Sequence, residues 1–287
     1  MKPPLSIAQC ATLACLWEAT IPKPGNVHRG ADFEDLAFGD FVVSAVATGP
    51  AIERAAEIGV GGAVFDAVSQ VRQLVGTNTS LGTILLLAPL AAVRGTLLDS
   101  ASVGAVLQSL TPRDSQLVYE AIRLAAAGGL GRVENMDLEE SPPSDLLAAM
   151  RAAADRDLVA RQYAEGFKQL FSNVVPWMRE GLSTGRALGP VVRNVHARMM
   201  HEFPDSLIAR KCGQQVAIAA AGRAGAVLKA GQPGDDLYEM ALADLDFWLR
   251  SDRRRNPGTT ADMIAAGLFV LLRDDRDDIM KFPIRME

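Results

Sequence analysis

Little in this sequence favours a sheet. Aromatic residues make up only 6% of the chain. Valines are scattered, and no stretch alternates apolar and polar side chains long enough for a half-buried strand. Cysteine is scarce and odd in number (Cys10, Cys15 and Cys212), with no C-x-x-C pair. The three read as reduced, buried thiols of a cytoplasmic protein. No cationic block is longer than Arg253–Arg255, which argues against nucleic acid as a partner. The longest apolar run, "TILLLAPLAAV", is too short to span a bilayer and reads as a buried helix. The apolar start "LSIAQCATLACLW" has only Lys2 before it, contains Gln9 and runs into Glu18 without a cleavage site. It is a first core helix rather than a signal peptide. G-x-S-x-G, H-E-x-x-H, Walker A and Rossmann signatures are all missing, and "GGLG" at 128–131 lacks the strand a nucleotide loop needs.

What is present is helical. The 287 residues are 49% hydrophobic and rich in alanine and leucine. That supports one all-α domain over 1–287, a bundle of about ten helices with functional loops at helix ends. Ser6 caps a first helix to about Ala19. A second covers 40–59 with a kink near Pro50, and a third ends at Gly76. Thr111, followed by proline and then Asp114, opens another. Further helices are expected at about 145–156, 158–173, 190–203, 206–230, 235–250 and 260–273. Residues 128–144 are acidic and rich in Gly and Pro, the composition of a flexible loop or lid. The tail from Asp277 reads as a short strand or an ordered end. The small residues of 216–227 suggest a helix through the centre of the bundle. An alanine- and glycine-rich bundle also admits a homodimer.

Four polar segments interrupt the apolar helices: "EATIPKPGNVHRGAD" at 18–32, "GTNTSLG" at 76–82, "DSLIARKCG" at 205–213 and "RRNPGTTAD" at 254–262. Singly, each has a structural explanation. Asp205 caps a helix, Thr259 and Asp262 form a capping box, and Asn78 tolerates a left-handed turn. Together they supply what an anionic ligand needs in a chain of net charge −5. Lys23, Arg29, Arg210 and Lys211 suit phosphate. Glu18, Asp32, Asp205 and Asp262 suit magnesium or a developing positive charge. His196 and His201, five apart, share no helix face and read as surface or supporting residues. His28, inside the first segment, is the functional candidate.

In this order, the segments resemble the triphosphoribosyl-dephospho-CoA synthase family, which makes the prosthetic-group precursor of citrate lyase and malonate decarboxylase. The resemblance rests on "E-x-x-x-x-PKPGNV" at 18–27, "NT-x-x-G" at 78–82, "D-x-LIARK-x-G" at 205–213 and "NPGTTAD" at 256–262, and runs from Glu18 to about Leu272. It implies an all-helical fold and transfer of the triphosphoribosyl group of ATP to the 2′-hydroxyl of 3′-dephospho-CoA, with release of adenine. The second motif here is "NTSLG", where the citrate lyase type usually has "NTHKG", so Ser80 and Leu81 stand in place of a histidine and a lysine. With "LIARK" in the third motif, the chain is similar to a divergent archaeal and bacterial branch. There the acceptor can belong to another cofactor pathway, such as that of a methanopterin-type one-carbon carrier.

Under this resemblance Glu18, His28 and Asp262 are the catalytic candidates, with Asp262 as base or metal ligand and His28 as acid. Lys23, Gly25, Asn26, Arg29, Asn78, Thr79, Arg210, Lys211, Asn256, Gly258 and Thr259 are candidates for phosphate and nucleotide, with free amides near Gly25. Asp32 and Asp205 are candidates for Mg2+. The residues alone do not separate the carboxylates by role. Two other classes stay open. A magnesium-dependent hydrolase of nucleotides or ADP-ribosyl groups would use the same side chains, with water as acceptor. A non-catalytic helical binding protein would leave the four segments unclustered.

Overall fold

The computed structural model describes residues 5–34, 36–77, 79–95, 97–126, 142–274 and 279. All regular elements among them are helical, fourteen of them α-helices. The expected loop at 128–144, apart from its last three residues, and the tail, apart from Ile279, lie outside the described residues.

The first half carries α1 (Ile7–Thr20), α2 (Phe38–Glu53), α3 (Ala55–Val75), α4 (Leu81–Ala92), α5 (Ser100–Gln108) and α6 (Pro112–Ala126). Local chemistry sets their ends. Ser6 and Gln9 form a capping box at α1. Thr111 and Asp114 do the same at α6, where the Asp114 carboxylate also accepts the Gly61 amide at 2.8 Å and so ties α6 to α3. Gly76, in the left-handed region at φ 78°, stops α3 as the sequence suggests. The second half carries α7 (Leu146–Ala153), α8 (Leu158–Ala164), α9 (Val175–Ser183), α10 (Leu188–Glu202), α11 (Ser206–Cys212), α12 (Gln214–Ala230), α13 (Asp236–Arg250) and α14 (Gly258–Asp274).

The fourteen helices exceed the expected ten, and three long periodic runs are broken. Near Pro50 the second run ends at Glu53 and restarts at Ala55 instead of kinking. The run at 158–173 stops at Gly166 and Phe167, which both have positive φ, and resumes as a π-helical turn, Leu170–Val174, leading into α9. The run at 206–230 is cut at Gly213, with φ 90° and ψ 154°. Apolar periodicity passes through such points unaltered, so it does not report them.

Two helices form the centre. Every residue of α4 from Thr83 to Ala91 is buried, and so is every residue of α14 from Met263 to Leu272. They pack on each other and, through α1, α2, α3 and α10, make the main hydrophobic cluster. Truncating one of these leucines to alanine removes ~2–5 kcal/mol. A smaller cluster joins α10, α11, α12 and α13 around Tyr238, Leu242 and Leu249. α12 belongs to this second group. It buries Ala217, Ala220, Ala224 and Gly225 on one side and exposes Ile218 and Gly222 on the other. It is therefore a flank helix, not the central one its small residues suggested. Those residues let α10 approach: a Cβ on Gly225 would sit 2.6 Å from the His201 ring. No helix of the described residues is long and apolar enough to cross a membrane.

Candidate functional site

The hub of the site is the turn into α14. The first, third and fourth polar segments meet there through direct hydrogen bonds. From the first segment, Asn26 Nδ2 donates to Asn256 Oδ1 at 2.7 Å. From the third, Asp205 caps α11 by accepting the amides of Leu207 and Ile208 at 2.9 and 3.0 Å on Oδ1. Its Oδ2 accepts the amide and hydroxyl of Thr260 at 2.7 and 2.8 Å. Beside it, Ser206 donates to Thr259 at 3.0 Å. From the start of α4, Thr83 donates to Asp262 at 2.6 Å. Asn78 lies outside the described residues. Thr79 is turned toward α2, where its hydroxyl meets that of Ser44.

Glycines interlock these segments. A Cβ at Gly82 would fall 2.1 Å from Asp262 Oδ2. At Gly258 it would fall 2.6 Å from Leu207, and at Gly25 within 2.9 Å of both Leu249 and Pro257. Real Cβ atoms do not approach this closely, so each glycine admits the neighbouring segment. At Gly25 the backbone is not laid bare for phosphate. The Gly25 amide donates to Asp246 Oδ1 at 2.7 Å, and Gly25 itself is buried.

Lys23 is also redirected. It is fully buried, its ammonium 2.9 Å from the Glu18 carboxylate and donating to the carbonyls of Glu18 and Ile21. An ammonium has three donors, and all three are occupied. Lys23 therefore pins the loop to the end of α1 and holds Glu18 in place. Asp205 is corrected in the same way. With both oxygens engaged by four donors, it is a structural staple rather than a free magnesium ligand. Asp32 is exposed and accepts the Phe38 amide at 2.7 Å. Arg29 is exposed, as are Arg210 and Lys211. Arg210 lies 3.7 Å from Asp157.

Electrostatics single out Asp262. Its residue surface is partly accessible, yet protein packs densely around its carboxyl. Desolvation, followed by the nearby negative charges of Glu18, Asp205 and Asp157, pushes its pKa up to about 8 against the Thr83 hydrogen bond. Burial, then Glu18 and Asp262, raises the Cys15 thiol as well, which places Cys15 beside the same acids. His28 is half-buried. Its Nδ1 accepts the Gly30 amide at 3.2 Å, and burial and the Arg250 cation lower its pKa. Asp262 is thus held toward its protonated form and His28 toward its neutral form.

Some residues escaped the sequence reading. Asp246 and Arg250, an i,i+4 pair on α13, clamp the first segment: Asp246 takes the Gly25 amide and Arg250 donates to the Asn26 carbonyl. Such a spacing reads as an ordinary surface pair. Thr83 is hidden at the head of the longest apolar run. Of the two readings of His196, surface or supporting, the structure matches the second: the ring is fully buried and meets Asn26.

Residues 4–279 match the profile of one protein family, CitG, ATP:dephospho-CoA triphosphoribosyl transferase. The chain belongs to this family. No curated protein matches it. Among solved structures it is similar to a crystallised Archaeoglobus fulgidus protein assigned to triphosphoribosyl-dephospho-CoA synthase. That chain is 27% identical at a TM-score of 0.63, with 80% of this chain and 97% of that one covered. The resemblance read from four short motifs therefore extends over nearly the whole length.

Proposed function

We propose that the chain transfers the triphosphoribosyl group of ATP to the 2′-hydroxyl of 3′-dephospho-CoA and releases adenine. The observation that carries this reading is the acid pair Glu18 and Asp262 at the junction of the family's segments, one held in an ion pair and the other pushed up to about 8. Cleaving the N-glycosidic bond sends its electron pair to adenine and leaves positive charge on the ribose carbon. Glu18 suits that charge. Protonated Asp262 suits the leaving adenine, and neutral His28 suits the proton of the attacking hydroxyl. Arg210 and Lys211, at the end of α11 beside Arg253–Arg255, offer phosphate a cationic rim.

Magnesium fits in one way only. Among the described residues no group of three or more His, Cys, Asp or Glu side chains is placed to hold a metal, and Asp205 is occupied. Mg2+ would arrive with the triphosphate, whose oxygens supply most ligands, with Glu18 and Asp262 as neighbouring carboxyl groups. When bound it neutralises phosphate charge. None of the three cysteines is in a disulfide, which supports a reducing, cytoplasmic setting.

One observation favours a different acceptor. Leu81, where the citrate lyase type has lysine, packs on the hydrophobic core and offers no cation to a ligand. Incubation with ATP, Mg2+ and a panel of acceptor alcohols headed by dephospho-CoA decides between them. Free adenine and an acceptor heavier by the triphosphoribosyl mass are expected. Adenine without acceptor would identify a hydrolase. No adenine with any acceptor, from protein that binds ATP, would sink the transfer reading.

A further inference from the structure

The three-residue chain His196, Asn26 and Asn256 has only one consistent hydrogen-bond assignment. The Asn26 amide faces two groups on one side, Asn256 Oδ1 at 2.7 Å and the Pro257 carbonyl at 3.5 Å. A carbonyl only accepts, so the Asn26 NH2 lies on that side and its oxygen faces His196. His196 Nε2, 2.9 Å from that oxygen, must then carry the proton. Its Nδ1 is a bare acceptor, buried and without a protein partner. An apolar residue in the same place would avoid this orphan nitrogen. The imidazole is therefore justified by its other edge, where it sets the orientation of Asn26.

We propose that His196, reaching in from α10, is a positioning residue for the transfer proposed above: its Nε2–H fixes the Asn26 amide, which holds the first segment in register with the Asn256 turn. The ring sits at 0% exposure. Burial first, and then the Lys23 cation, holds its pKa well below the ordinary value, so the ring stays neutral and the tautomer fixed. His196 touches no reacting group. It acts through Asn26, whose other contacts reach Asn256 and, through its carbonyl, Arg250.

Long-range nitrogen–proton NMR on histidine-labelled protein tests the assignment directly. The expected result is a proton on Nε2 of His196 and no titration between about pH 6 and 9. A proton on Nδ1 would overturn the proposal. Two variants test the role. His196→Gln carries an amide NH2 near the place of Nε2, and His196→Leu keeps the bulk without a donor. His196→Leu should lower kcat for adenine release by about tenfold or more with a smaller change in KM, and His196→Gln should recover activity to within about threefold. Equal losses in the two would overturn the proposal. If His196→Leu fails to fold, the tautomer and the His196→Gln activity decide. If the wild type releases no adenine, the transfer reading fails on its own, and the variants are compared by ATP affinity with the same expected ranking.

Discussion

Two halves of one loop differ sharply. From Lys23 to Val27 the chain is buried, with its ammonium, the Gly25 amide and the Asn26 amide all committed to partners within the protein. From His28 to Asp32 it is half-buried or exposed, held by a short bridge between His28 and Ala31. The first half is scaffold, and the second is the part open to solvent. Lys23 and Gly25, read from sequence as phosphate candidates, are bonded within the protein.

Five substitutions grade that contrast. The largest effect belongs to the buried half: Lys23→Met strands Glu18 and its two carbonyl partners, and urea denaturation should show a loss of about 3–5 kcal/mol. Next is Asp262→Asn, expected to lower kcat by about 10²–10⁴ while preserving the fold. It carries a pH signature. The folded pKa of Asp262 lies near 8, above the ordinary 3.8. At intermediate pH the folded state keeps a proton that the unfolded chain has released, so this group draws stability down as pH rises from about 4 to 8 and no further beyond. The variant should lack that slope and melt higher than wild type at pH 8. Gly82→Ala is third. Its new Cβ collides with Asp262, which should cost about 1–3 kcal/mol in thermal unfolding and reduce activity with it. Smallest are Arg29→Ala and Asp32→Asn in the accessible half, which should leave stability within about 0.5 kcal/mol. A large loss of stability in either would erase the distinction between the halves.

The fold class was legible because apolar residues recur with helical period over long stretches, and caps such as Ser6 and Thr111 are local signals. The breaks at Arg54, Gly166 and Gly213 were not, since periodicity survives a change of axis. The motifs marked segments that meet in the fold but not which of their side chains are bonded within the protein. Whether Lys23 points outward or inward depends on α1 and on Glu18 five residues earlier. Whether the Gly25 amide is free depends on Asp246, 221 positions away. The proton affinities have the same origin: that of Asp262 is raised by burial and then by Glu18 and Asp205, and that of His28 is lowered by burial and then by Arg250 on α13. These are contacts of tertiary structure, with no trace in spacing.

α14 opens with the site's turn and continues as a helix whose residues from Met263 to Leu272 are all buried. Buried core and candidate site thus share a backbone. Amide protons of that helix should exchange with solvent only through global unfolding, so the chemistry stands on the slowest-opening part of the molecule. Asp262 and the Thr260 groups that bind Asp205 lie in the first turns of the same helix, so packing of that helix and register of these groups are one geometric condition.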